Sequence, residues 1–92
     1  MATEVIKKDG SKEPFSAEKI MNSIDAAAED AKLSHELGDA IIEEVSDTVI
    51  EFAKAKESVT TTEIKDKILA ELDRLAPSVS AAWRAYDAKK GR

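Results

Sequence analysis

The 92-residue chain contains no cysteine, a single histidine, three glycines and no long apolar run. The absence of cysteine excludes disulfides, a zinc ribbon and thiol chemistry, and it suits a reducing cytoplasm. No apolar run approaches the roughly 20 residues that a membrane-spanning helix needs, and Met1-Ala2-Thr3 leads into charged sequence, not into a signal peptide. We therefore predict one domain over residues 1–92, located in the cytoplasm.

The formal net charge of −5 argues against general nucleic-acid binding, which requires a basic surface. The charge is uneven, because residues 20–83 are strongly acidic whereas basic residues gather at both ends of the chain. If the two ends meet in space, they form a cationic patch on an acidic body. The alternative is a basic tail at the end of a last helix, where the helix dipole favours positive charge.

Catalytic constellations are missing from the sequence. His35 stands at a predicted helix start and reads as a surface residue, and the serines have no histidine partner at a known spacing. The glycines are isolated, so no phosphate-cradling glycine-rich loop is present. Acidic pairs such as Glu29-Asp30 and Glu43-Glu44 read as solvated helix faces, not as metal ligands. We therefore predict a binding module without catalytic residues and without a metal site.

The most informative segment is Val5 to Ile20. Asp9-Gly10 between two short extended runs predicts a two-residue hairpin with a type I′ turn, in which both central residues have positive φ. Ser16 then reads as a helix cap, with Phe15 and Ile20 at the two positions of a hydrophobic staple.

Four helices and one further short strand follow from the apolar periodicity. The helices are expected over about Ala17–Lys32, His35–Lys56, from Thr60 onward and from about Ser78, with the strand over Glu57–Thr60. Ser34 is the expected cap of the second helix, and Thr60 with Glu63 has the spacing of a capping box for the third. The predicted inward stripes are Ile20, Ile24, Ala27, Ala28 and Ala31; Leu37, Ile41, Ile42, Val45, Val49, Phe52 and Ala53; Ile64, Ile68, Leu69, Leu72 and Leu75; and Val79, Ala82, Trp83 and Tyr86.

Three stretches resemble the ATP-cone domain, a small nucleotide-binding regulatory module of ribonucleotide reductases and of a bacterial repressor of their genes. The stretches are the opening Val5–Ile20 segment, Val59-Thr60-Thr61-Thr62-Glu63-Ile64, and Ala81-Ala82-Trp83-Arg84-Ala85-Tyr86. The resemblance spans about Glu4 to Lys90. It implies an α+β fold in which a small three-stranded sheet, formed by the hairpin and one short strand, packs on a four-helix cluster.

The resemblance also implies a nucleotide site. Phosphate contacts are implied for Lys7, Lys8 and Lys90, and Lys19, which matches a further lysine of the family, could converge with Lys7 and Lys8 on a phosphate chain. Walls for the base are implied for Val5, Ile20 and Tyr86, an adenine contact for Glu13 and Ser16, and a ribose or phosphate contact for Thr61 and Lys65. The family more often has arginine at the position of Lys8, and a lysine there supplies a point charge in place of a planar fork. Trp83 is expected in the core.

The function that follows is reversible binding of ATP or dATP, optionally with Mg²⁺, and regulation of a homo-oligomer or a partner protein through nucleotide-dependent association. Neither membrane binding nor direct nucleic-acid binding is expected. The alternative is a helical protein–protein interaction module that has kept the fold and lost the nucleotide. From the residues alone, Lys7 and Lys8 also read as ordinary hairpin lysines that protect an edge strand.

Overall fold

The computed structural model describes residues 3–89, so Lys90 lies outside the described residues. Within them, three short strands and four helices follow one another. In chain order they are β1 (Glu4–Ile6), β2 (Lys12–Pro14), α1 (Ala17–Asp30), α2 (His35–Lys54), β3 (Ser58–Thr60), α3 (Thr61–Leu75) and α4 (Pro77–Lys89). The predicted α+β class is confirmed, with α1 and α2 each ending two residues earlier than the periodicity suggested.

The sheet has the order β2-β1-β3, with β1 antiparallel to β2 and parallel to β3. In the register, the central Val5 lies opposite Glu13 on one side and Val59 on the other. Thr3 ties the sheet to the end of α2, because its buried hydroxyl donates to the Ala53 carbonyl at 3.2 Å. The strand after α2 therefore joins the hairpin, as expected.

The hairpin turn differs from the prediction. Gly10 has φ 90°, but neither Lys8 nor Asp9 has positive φ, so the turn is not type I′. The Gly10 N–H donates to the Lys7 carbonyl at 2.9 Å and the Lys7 N–H to the Ser11 carbonyl at 2.8 Å. This is the pattern of a type I turn followed by a glycine bulge. Consequently Lys7 and Lys8 lie in the turn, beyond the end of β1.

The predicted helix starts are confirmed. The hydroxyl of Ser16 accepts from the N–H of Lys19 at 3.3 Å, and that of Ser34 accepts from Leu37 at 3.3 Å. In α3 the capping box is complete, since Thr60 Oγ1 accepts from the Glu63 N–H at 3.0 Å and Glu63 accepts from the Thr60 N–H at 2.9 Å. Each cap satisfies backbone donors that the first turn leaves unpaired.

The four helices form a ring in which α1 packs on α2 and α4, and α3 packs on the same two helices. The starts of α1 and α3 lie on the sheet side of the ring because they closely follow β2 and β3. The end of α2 lies there through its contact with Thr3, and the end of α4 lies beside the first turns of α3 through the ion pair of Lys65 with Asp87. The core between the helices is formed by Ile20, Ile24, Ala27, Ala28, Val45, Val49, Ile68, Leu72, Ala76 and Val79.

Three features of the helices depart from the predicted stripes. Leu37 is 58% exposed, and Tyr86 is 52% exposed, so neither belongs to the core. Helix α4 begins at Pro77, one residue before the expected start at about Ser78, and the fixed φ and missing N–H of proline are tolerated at a first helical position. Trp83 is only partly buried against the core.

Candidate ligand-binding site

Lys7 of the hairpin turn and Lys19 of the first turn of α1 both pair with the carboxylate of Glu13. Glu13 on β2 lies 3.5 Å from the amine of Lys7 and 3.1 Å from that of Lys19. Hydrogen bonding from Lys19, together with the charges of Lys19 and Lys7, holds the pKa of the Glu13 carboxyl below its usual range. Both lysine amines therefore face an ionised carboxylate whose position is set by β2.

Ser16 joins this group through the helix cap. Its hydroxyl oxygen already accepts from the backbone of Lys19, so it approaches a ligand best as a donor. Lys8, in contrast, is exposed at the tip of the turn. The structure thus brings together Lys7, Glu13, Ser16 and Lys19, and leaves Lys8 at the rim.

Of the three residues expected to wall the base, Tyr86 is exposed, whereas Val5 and Ile20 are closed in by the fold. Val5 is 7% exposed and Ile20 is 6% exposed, Val5 in the centre of the sheet and Ile20 in the helix core.

A second group of predicted residues lies at the start of α3 and the end of α4. Thr61 is the partly buried first residue of α3. One turn later, Lys65 forms an ion pair with Asp87 of α4, the neighbour in sequence of Tyr86. The contact fixes the end of α4 beside the start of α3. The predicted Lys90 site falls outside the described residues.

An open groove between α1 and α4 was not anticipated from the sequence. Its volume is about 560 Å³, within the range of small-ligand pockets. We call it the α1–α4 groove; its lining residues are Asn22, Ser23, Ala26, Ala27 and Asp30 from α1, and Ala82, Trp83, Tyr86 and Asp87 from α4. The run of three alanines over residues 26–28 was a signal in the sequence, since small side chains on a helix leave room at a helix–helix contact.

Within residues 3–89, no group of three or more histidine, cysteine or acidic residues could hold a metal ion. None of the described helices is long and apolar enough to cross a membrane.

A mixed three-stranded sheet on a ring of four helices, with lysines from the hairpin, α1 and α3 on the sheet side, is the architecture of a small α+β domain. A family model for the ATP cone domain matches residues 3–92, so the chain belongs to the ATP-cone family and the resemblance of its motifs is confirmed. The chain is also similar to the transcriptional repressor NrdR of Bdellovibrio bacteriovorus, with 37% identity over 71 residues. That alignment covers 77% of this chain and 36% of the repressor, so the chain matches about a third of that relative's length.

Proposed function

We propose that this domain binds ATP or dATP reversibly and that the bound nucleotide changes how the domain associates with itself or with a partner protein. Membership of the ATP-cone family and similarity to a repressor support a regulatory role over a catalytic one. In this proposal Mg²⁺ accompanies the ligand through its phosphate oxygens, and the cytoplasm is the expected location.

The observation that carries the proposal is the meeting of Lys7 and Lys19 on Glu13, at 3.5 and 3.1 Å. Two amines that reach one carboxylate from different elements can also reach one phosphate group, which is likewise an anion with closely spaced oxygens. Lys65 adds a third amine on the sheet side, and Lys90 is proposed as a fourth.

Nucleotide binding then requires an exchange of partners. When phosphate oxygens take the amines of Lys7 and Lys19, the Glu13 carboxylate is released and can accept a hydrogen bond from the exocyclic amine of adenine. Guanine presents a carbonyl at that place, so an acceptor would meet an acceptor. An unsatisfied buried polar group costs about 1–3 kcal/mol, which corresponds to roughly tenfold discrimination or more.

The alternative is a helical interaction module that has lost nucleotide binding. One observation favours it: Lys7, Lys19 and Lys65 already form ion pairs with Glu13 or Asp87. An external anion binds these lysines only if it outcompetes the internal carboxylates that already pair with them.

Isothermal titration calorimetry with ATP, dATP and GTP tests the proposal. Lys7→Ala and Lys19→Ala should each weaken ATP binding by about 1.5–3 kcal/mol, or roughly 10- to 100-fold, as is usual for hydrogen bonds to charged groups. Lys32→Ala is the matched control, because Lys32 is exposed and follows the other end of α1. Thermal melts of all three variants should stay close to the parent.

The outcomes separate the alternatives. Absence of ATP and dATP binding would favour the interaction module, and unchanged affinity in both variants would move the phosphates elsewhere. Equal affinity for ATP and GTP would remove Glu13 as the adenine contact. Light scattering at matched protein concentration, without nucleotide, with ATP and with dATP, tests whether nucleotide changes the association of the domain. A constant mass, together with partner binding that does not depend on nucleotide, would refute the regulatory role.

A further inference from the structure

The α1–α4 groove has an amphipathic and acidic lining. Its lining includes small side chains, such as Ala26 and Ala82, and the aromatic rings of Trp83 and Tyr86. Asp30, at the end of α1, and Asp87, toward the end of α4, add two carboxylates. Among its lining residues from the described part of the chain, none is basic.

This lining suits a basic side chain that is carried on an apolar segment. A guanidinium or ammonium group is attracted to the faces of tryptophan and tyrosine rings and to carboxylates, and an anionic ligand would meet repulsion from Asp30. The small alanine side chains of the lining allow the backbone of such a segment to approach closely. Because the chain as a whole carries a net charge of −5, long-range electrostatics favour a basic partner over a second copy of this acidic chain.

One carboxylate of the groove lining already pairs with a basic side chain from outside the groove. The amine of Lys65 pairs with the Asp87 carboxylate, which is 29% exposed and lines the groove. Lys65 is also one of the lysines proposed above to contact phosphate. Asp87 therefore stands between the proposed nucleotide site and the groove.

We propose that the α1–α4 groove is the docking site for an arginine- or lysine-bearing amphipathic segment of a partner protein, and that nucleotide strengthens this docking by drawing Lys65 away from Asp87. Only the coupling rests on the proposed nucleotide binding; docking itself does not. Because coupling between two binding sites is reciprocal, the docked segment must tighten nucleotide binding by the same factor.

Trp83 is the only tryptophan of the chain and lines the groove, so its fluorescence reports on occupancy. The probe is a short amidated helical peptide of leucine, alanine and arginine that lacks tryptophan, compared with the same peptide carrying glutamate in place of arginine. We expect saturable change of Trp83 emission with the arginine peptide and none with the glutamate peptide. Asp30→Asn and Asp87→Asn should each weaken the arginine peptide roughly two- to fivefold, the range of exposed ion pairs, whereas the exposed acid variant Asp47→Asn should not.

Addition of ATP should tighten the arginine peptide by roughly two- to fivefold in the parent chain and have no such effect in Asp87→Asn. Equal binding of the two peptides, or full affinity in both groove variants, would overturn the docking site. If calorimetry shows that ATP binds but the affinity for the peptide does not change, the coupling alone is overturned. If the peptide binds and ATP does not, the docking site stands and the proposed nucleotide function is refuted. If light scattering shows a dimer of the domain and the peptide dissociates it, the groove binds a second copy of the chain and the basic partner is refuted.

Discussion

Leu72 and Leu37 offer a direct test of which apolar residues hold the domain together. Both leucines lie on helical stripes that the sequence predicts to face inward. In the structure, however, Leu72 is 0% exposed in the core of the helix ring, whereas Leu37 is 58% exposed in the first turn of α2. The same substitution by alanine should therefore have very different effects at the two positions.

Leu72→Ala should lower the free energy of unfolding by about 2–5 kcal/mol, because it removes buried methyl groups and leaves a cavity that its neighbours fill only in part. For a domain of this size each kcal/mol shifts the melting temperature by about 4–8 °C, so a loss of roughly 8–40 °C is expected. Leu37→Ala should change stability by no more than about 0.5 kcal/mol, as surface substitutions usually do.

Urea and thermal denaturation followed by far-UV circular dichroism give both values. Since a native domain has only about 5–15 kcal/mol of stability, Leu72→Ala could prevent folding. Leu72→Met then serves as the milder variant, because it conserves volume and should cost less than about 1.5 kcal/mol. Equal losses at Leu72 and Leu37, or a Leu72→Ala melt within a degree or two of the parent, would refute the placement of the core.

Two further predictions concern a strained residue and an ion pair. Lys32 has φ 62° just after α1, where a left-handed residue closes the helix end. Because glycine adopts this conformation without strain, Lys32→Gly should raise the free energy of unfolding by about 0.5–1 kcal/mol. A lower urea midpoint in this variant would show that Lys32 is not strained. The guanidinium of Arg84 bonds the Asp73 carboxylate at 2.8 Å and lowers the pKa of Asp73 from 3.8 to about 2. Because a depressed pKa stabilises the folded state above the unfolded pKa, this contribution should be lost as the pH falls from about 4 to about 2, and Asp73→Asn should flatten that part of an acid titration of stability. An unchanged acid profile in Asp73→Asn would contradict it.

Much of the fold could be read from local patterns. Serine and threonine at the helix starts, the capping box of Thr60 and Glu63, and the 3.6-residue spacing of apolar residues each act within a few residues of chain. A cap or a stripe needs no distant partner to be recognised, so the order of strands and helices followed from the sequence. The hairpin also followed, but its turn type did not. A two-residue loop and a three-residue loop with a glycine bulge can contain the same Asp-Gly pair, and strand register decides between them.

The candidate site was predictable only in part. The resemblance to the ATP-cone family placed Lys7, Glu13 and Lys19 in one group because the family motif is contiguous in sequence. The burial of Val5 and Ile20 and the contact of Lys65 with Asp87 depend on elements that are distant in the chain, and the two ion pairs of Glu13 depend on how the hairpin packs beside α1. The α1–α4 groove likewise arises only where the first and last helices meet.

The sequence by itself determined the class of the domain, the helix starts and the family, because these depend on short-range spacing and on contiguous motifs. The tertiary structure alone decided which apolar residues are buried, which carboxylate neutralises which lysine, and where a concave surface is left open. Periodicity tells which face of a helix is apolar, but it cannot tell how far a neighbouring helix covers that face. For this reason Leu72 and Leu37 look alike in the sequence and have opposite environments in the fold.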